Sequence, residues 1–540
     1  MMVKSVQVIS KRQRPFPLSA EIQNGKLSFD FSVLDDSASE SFDLVVTFTS
    51  SIKSFRNHDY TWVNVKQDRI AGQWVPKILL LENGYYVQPN QNIGYWEVNK
   101  QNPSVLLWRF NPEFSNPLTV YTGTQNERVL AHAQSILPEK LSLSLLFSNQ
   151  NAVEFSRSPE PFVPVVCFTD HCDFDTLDSL KIQRAFFKQH QVKVTKGFFL
   201  HHFSKRADNA SYEKEQAELQ LWLSDGHELA YHSLSQSLKK DEEAFADFYQ
   251  FTPPFDQCPT WIDHGYQPYN FSLYQNKGLK EHVYAAALNE KNIRILWNYI
   301  DSGTATLGVI NQLNPDDFTL QRFSKGAKHL SLKVKIGVLI KNIMFHYYAS
   351  EKMILRYKGL AGSFKKMVQQ KQFKLFFEFV QDLSALTVPL LKVFLFWHYH
   401  KKRPYKLAQY TPIVFKHQLA DKTFFVFQTL EMVDFRAALH PQNIDKLIQE
   451  KGLFIAHTYF SVPMAYHTGR LFKTLDTIDE IVAANFEYLS KKIQNGEVWN
   501  PTLKELVDFL STFEATVLDL DAEGKIVVAH STGIPNRPIS

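Results

Sequence analysis

From Val163 to Tyr459 short apolar runs alternate with helical stretches, and this beat narrows the fold more than any other feature of the chain. Pro164 to Phe168 has the β-branched and aromatic bias of a fully buried strand, and a helical stretch follows near Asp175 to His190. Val194 to Leu200, His227 to Ser233, Thr260 to Gly265 and Ile293 to Ile300 repeat the strand pattern, and Tyr212 to Ser224 the helical one. After a long interruption, Phe424 to Met432 and Leu453 to Tyr459 add two more strands. Strands separated by helices pair in parallel, because a parallel partner needs a crossover of about a dozen residues. Seven or so such strands predict a barrel with polar residues at the C-terminal strand ends, where α/β proteins bind ligands.

Ahead of the beat, residues from about Leu18 to Phe155 alternate apolar and polar positions in Lys26 to Ser32, Phe42 to Phe48 and Ile78 to Val87, with Asn24-Gly25 and Asn83-Gly84 as turns. They read as a β-sandwich-like domain whose aromatic stretches, Tyr95 to Asn99 and Leu106 to Pro112, form its core or a glycan-binding face. Three prolines in Ser156 to Pro164 mark a linker, and Ala515 to Ala529 reads as a closing hairpin. The interruption from Lys325 to Lys406 holds 17 Lys and Arg against 3 acidic residues, interleaved with Phe, Tyr and aliphatics. Its most apolar part, Leu383 to Trp397, contains Lys392 and falls short of the roughly 20 apolar residues that span a bilayer. It suits a helix lying on a membrane surface, or a helical subdomain packed on the barrel. Nothing matches a nucleic-acid reader module. An odd count of 3 cysteines argues against a disulfide framework and for a reducing compartment, and the amino-terminal residues lack the apolar core of a signal peptide, so a cytoplasmic protein, attached or not to a membrane face, is expected.

The first strand ends in an acidic corner, Thr169-Asp170-His171-Cys172-Asp173-Phe174-Asp175. Such a corner either carries chemistry or caps the following helix, with Asp175 or Thr176 as N-cap. In Gly226-His227-Glu228-Leu229-Ala230-Tyr231-His232-Ser233-Leu234-Ser235-Gln236 the two histidines are five apart and face opposite sides of a strand. His227, at the strand start, is expected in the core. His232 and Gln236, four apart, share one face of a helical turn, which is metal-ligand spacing with one ligand replaced.

At these residues the chain resembles the polysaccharide deacetylase superfamily, metal-dependent carbohydrate esterases that include chitin, peptidoglycan and chitooligosaccharide deacetylases. The likeness runs from Val163 to Phe509, broken by the basic insertion. FTDHCDFD stands where that family carries strand-end aspartates, one a base and one a metal ligand. GHELAYHSLSQ matches its Gly-His-Glu strand and His-Ser/Thr-x-x-His pair, Trp261 to Gly265 its substrate groove, and GLFIAH, ending at His457, its late strand with the catalytic-acid histidine. The resemblance implies a divalent metal, zinc, held at Asp173, His232 and the Gln236 position, where an amide is a poor ligand and His264 or His171 is the substitute. It implies Asp170 or Asp175 as base, His457 as acid, and Trp261, Asp263, His264, Trp297, Asn298 and Asp301 as groove residues for a carbohydrate. A non-catalytic saccharide- or headgroup-binding protein on the same fold is the competing reading. The expected architecture is α/β, a distorted (β/α)7-type barrel at 156–324 and 411–540 with a C-terminal β-hairpin, an N-terminal β-rich domain at 1–155 and a basic helical insertion at 325–410.

Overall fold

The computed structural model describes residues 2–10, 16–18, 20–30, 41–66, 68–133, 143–301, 310–329, 331–342, 356, 359–360, 362–364, 366–367, 375–432, 434–461, 470–474, 476–530 and 533–540. Seven strands, Val165–Asp170, Thr195–Phe198, Glu228–His232, Thr260–Ile262, Ile295–Asp301, Lys422–Glu431 and Leu453–Thr458, pair in parallel in that order. The last returns to the first, with His457 opposite Thr169, and closes the barrel. Val414–Leu419 adds an antiparallel strand to the sixth.

Side chains alternate along each strand between two buried layers. Val165, Cys167, Ala230, Ile262, Ile295, Phe427, Leu453 and Ile455 belong to one cluster, which runs from the barrel interior into the core of the N-terminal sheets. Their neighbours Val166, Phe168, Leu229, Tyr231, Trp261, Leu296, Val426 and Phe454 belong to a second, packed under the helices. Strands buried on both faces are apolar throughout, which is why the pattern was a run rather than an alternation. Helix Leu177–His190 begins at Thr176, whose hydroxyl accepts from Ser179 N–H in a capping box, so the corner also serves as a cap. Helix Leu503–Ser511 places Leu503, Leu506, Val507 and Leu510 in the interior cluster. Its first backbone amides reach the starts of two strands, Leu503 to Thr195 Oγ1 at 2.8 Å and Lys504 to Glu228 at 2.9 Å, so it closes the N-terminal end of the barrel.

Two antiparallel sheets, of six and seven strands, precede the barrel. Trp96 and Trp108 are fully buried with rings edge to face at 5.9 Å, so these aromatics are core. The stretch 156–164 is a built junction instead of a loose linker: Arg157, buried, donates to the carbonyls of His58, Trp74 and Lys451 and so ties sheet to barrel. A hairpin of Pro117–Thr122 and Glu127–His132 reaches the barrel, where Asn298 Oδ1 accepts from Thr119 N–H at 3.0 Å and the Asn298 amide donates to Pro117 O. The hairpin of Val517–Leu520 and Ile526–His530 packs on the sheet domain, and Asn536–Ile539 pairs with Ala152–Phe155. In the insertion the described helices include Leu332–Asn342 and Phe376–His400. Among the described residues no helix is long and apolar enough to cross a membrane.

Candidate metal centre

The chain leaves the first strand at Asp170 and turns inward, held by His171 N–H donating to Thr458 O at 2.9 Å. His171, Asp173 and His232 thereby converge, with one donor atom from each within 4.8 Å of the others, a group that can hold a metal ion. Asp173 sits between two imidazoles, its oxygens 3.0 Å from His232 Nε2 and 3.0 Å from His264 Nδ1. These two ring nitrogens are 3.1 Å apart. Backbone carbonyls meet the far nitrogens: Ile262 O lies 3.3 Å from His232 Nδ1, and Gln236 O lies 2.9 Å from His264 Nε2. A ring that donates to a carbonyl from one nitrogen turns the lone pair of the other toward the centre, as in metal sites. The donor set fits a divalent ion on a second count, because His171 Nε2 is buried without a hydrogen-bond partner among the described residues.

The electrostatics agree with that use. Burial, reinforced by His457 and His232, holds His171 well below the ordinary imidazole range, so it is neutral and can offer a lone pair. Burial alone would raise the Asp173 carboxyl, but His264 and His232 override it and hold the group well below the carboxylate range. Burial lowers His232 more than Asp173 raises it, whereas at His264 the Asp173 charge wins and raises the ring. Asp173 and His264 keep 16% and 15% of their side chains exposed, so solvent reaches the centre from their side.

His457 and Trp297 complete the group. The His457 ring stacks on His171 at 3.9 Å, and the Trp297 ring stands edge-on to both, at 4.7 Å from His171 and 5.0 Å from His457. Tyr459 flanks both histidines at 5.0 Å, and Tyr299 packs on Trp297 at 4.7 Å. The sheet domain contributes as well: Tyr121, on its hairpin, lies edge-on to Tyr299 at 5.9 Å and to Tyr266 at 5.5 Å, and half of Tyr266 is exposed.

Several expected residues lie elsewhere. Asp170 and Asp175 are not beside the imidazoles; alternation turns Asp170 to the helix side, where both carboxylates pair with Lys196, a lysine with no exposed side-chain surface. Asp170 also accepts from Phe460 N–H and Thr458 Oγ1, and Asp175 from Gln183 and Ser179. Burial pushes Asp170 up to about 7 despite Lys196, and burial would lower Lys196 but the two carboxylates raise it. The Gln236 side chain is occupied, its amide donating to the Asp173 carbonyl and its oxygen accepting from Ser204 Oγ. It shapes the Asp173 turn, and His171 fills out the donor set. Trp261 faces the helices with Tyr231, Phe248 and Tyr269, and its Nε1–H donates to Asp263. Asp263 further accepts from Phe271 N–H, Ser272 N–H and Ser272 Oγ, which makes it the anchor of a loop. Asn298 clamps the sheet-domain hairpin. Asp301 ends the fifth strand opposite Thr429, and its side chain lies outside the described residues. Comparison with family models, curated proteins and solved structures finds no match to this chain.

Lys196 was not singled out from sequence, although a lone lysine inside the apolar run Val194 to Leu200 is the mark of a buried carboxylate partner. Tyr121, Tyr266 and Tyr459 carry no local signal, since only the tertiary fold brings them to one mouth.

Proposed function

We propose that the chain is a metal-dependent hydrolase of the polysaccharide deacetylase type, on a distorted (β/α)7-type barrel, that removes the acetyl group from an N-acetylated sugar. The observation that carries this reading is the convergence of His171, Asp173 and His232 at the C-terminal strand ends, with His457 stacked on His171. Two imidazoles and a carboxylate suit zinc, which when bound supplies Lewis-acid polarisation of water and of an acyl carbonyl. In this reading His457 takes the proton of the attacking water and returns it to the sugar nitrogen as the C–N bond breaks, leaving acetate and the amine. Tyr266, half exposed, and Tyr299, half-buried, offer aromatic surface of the kind on which a sugar ring stacks, and the buried Tyr121 and Trp297 back them. Metal analysis of the purified protein, followed by an acetate-release screen over N-acetylated sugars with and without added zinc, tests the proposal. Absence of release from every sugar by zinc-loaded protein overturns it.

The engagement of Asp170 and Asp175 by Lys196 favours a second reading, a saccharide-binding protein without turnover. Saturable sugar binding to zinc-loaded protein that releases no acetate selects it.

A further inference from the structure

We propose that the outer face of helix Phe376–His400 is a docking surface for an anionic phospholipid bilayer. The helix has a conventional inner face, with Leu386 fully buried and Trp397 packed against the barrel's helical layer. Its outer face inverts the usual pattern. Phe377 is 83% exposed, Val380 43%, Val388 61%, Leu391 59%, Leu395 46% and Tyr399 71%. At about 100° per residue these six fall within an arc roughly 100° wide, and they run about 33 Å along the axis. The same arc holds Ser384, with Gln381 and His398 at its edges. Scattered exposed apolar side chains need no explanation, but six of them on one face of a surface helix mark a face that another phase or molecule covers.

Charge selects the occupant. The segment 325–406 holds 17 Lys and Arg against 3 acidic residues, and Lys392, Lys401 and Lys402 on or just after this helix are exposed. A second copy of the chain would bring the same net of 14 positive charges against itself, whereas an anionic lipid surface attracts them while its acyl region takes up the stripe. Leu386 and Trp397 hold one side of the helix against the protein, and Asp382 and Lys392 interrupt its apolar run, so the helix lies along a bilayer surface with only its outer face in contact. This inference stands independently of the catalytic reading.

Vesicle flotation of the intact protein tests it, using phosphatidylcholine vesicles with and without about one-third phosphatidylserine, at low and moderate salt. The parent floats with anionic vesicles at low salt, and recovery falls as salt rises. Replacing the stripe by F377S, L391S and L395S lowers the partition coefficient more than tenfold, and K392E, K401E and K402E together lower it about a hundredfold. Both variants melt with the parent, because every side chain changed is exposed. Equal recovery with anionic, neutral and no vesicles overturns the proposal. So does a parent dimer in sedimentation velocity that the stripe variant abolishes, which assigns the face to a second copy.

Discussion

Gln236 supports the candidate centre from outside its donor set, and Lys196 supports the fold beside it. Gln236 holds the Asp173 carbonyl and Ser204, so Gln236→Ala loosens the turn that presents Asp173. Outer-shell losses of this kind cost about ten- to a hundredfold in metal affinity, whereas His171→Ala or His232→Ala removes a ligand and lowers affinity further. Competition of zinc binding against a chromophoric chelator ranks the three, and an unchanged affinity in His171→Ala excludes that ring from the centre. Lys196 is a matter of stability. Its loss in Lys196→Met leaves two carboxyl groups buried beside one another, a change worth about 3 to 5 kcal/mol in urea unfolding. Adding Asp170→Asn and Asp175→Asn to that variant recovers most of the loss, because the uncompensated charges are then gone. A single variant within about 1 kcal/mol of the parent refutes the ion cluster as a support of the fold.

Elements explain what was readable in advance. The barrel strands announced themselves because both faces are buried, so Val165–Asp170 and Leu453–Thr458 are apolar runs without alternation. That same absence hid which side chain faces in. Trp261 and Asp263 flank the end of a strand only three residues long, Thr260–Ile262, and both turn to the helices although their position along the chain suggested the groove. His171 lies past its strand end, in a turn whose direction depends on the Thr458 carbonyl contributed from residue 458. Gly197 illustrates a constraint that composition does not display: a Cβ there would stand 2.3 Å from the Asp170 carbonyl oxygen, so the second strand approaches the first only with glycine at this point. Asn298 is the corresponding clamp between the sheet domain and the barrel. Asn298→Ala leaves the Thr119 amide and the Pro117 carbonyl without this partner, costs about 2 kcal/mol or more, and releases the hairpin that carries Tyr121. Hydrogen exchange then rises at 117–132 while the barrel strands keep their protection; uniform protection across both would show that other contacts hold the hairpin.

At the scale of the whole molecule, two antiparallel sheets and the helix Leu503–Ser511 cover one end of the barrel and leave the candidate centre at the other, and that burial gives stability a pH dependence. His227 lies at the covered end, packed on Trp222 at 4.8 Å, and its Nδ1 accepts from Val194 N–H at 3.3 Å. Burial pushes it down from 6.5 to about 4. Between those values the unfolded chain binds a proton that the folded ring does not, so this residue's contribution is complete above about pH 6.5 and is lost as pH falls through 4. The difference amounts to at most about 3 kcal/mol. Glu228 beside it runs the other way, since burial raises its carboxyl and the folded state takes up its proton early, so the slope of the parent alone mixes opposing groups. Comparison with His227→Gln isolates the ring, because the amide can still accept from Val194 and does not titrate. Urea unfolding at about pH 7.5, 6.5, 5.5 and 4.5 should show parent and variant separated by a near-constant difference down to about pH 6.5, with the parent losing stability relative to the variant at each acid step below it. A gap that stays constant over the series would mean that His227 titrates alike in the folded and unfolded chain, and that the covered end of the barrel is open to water.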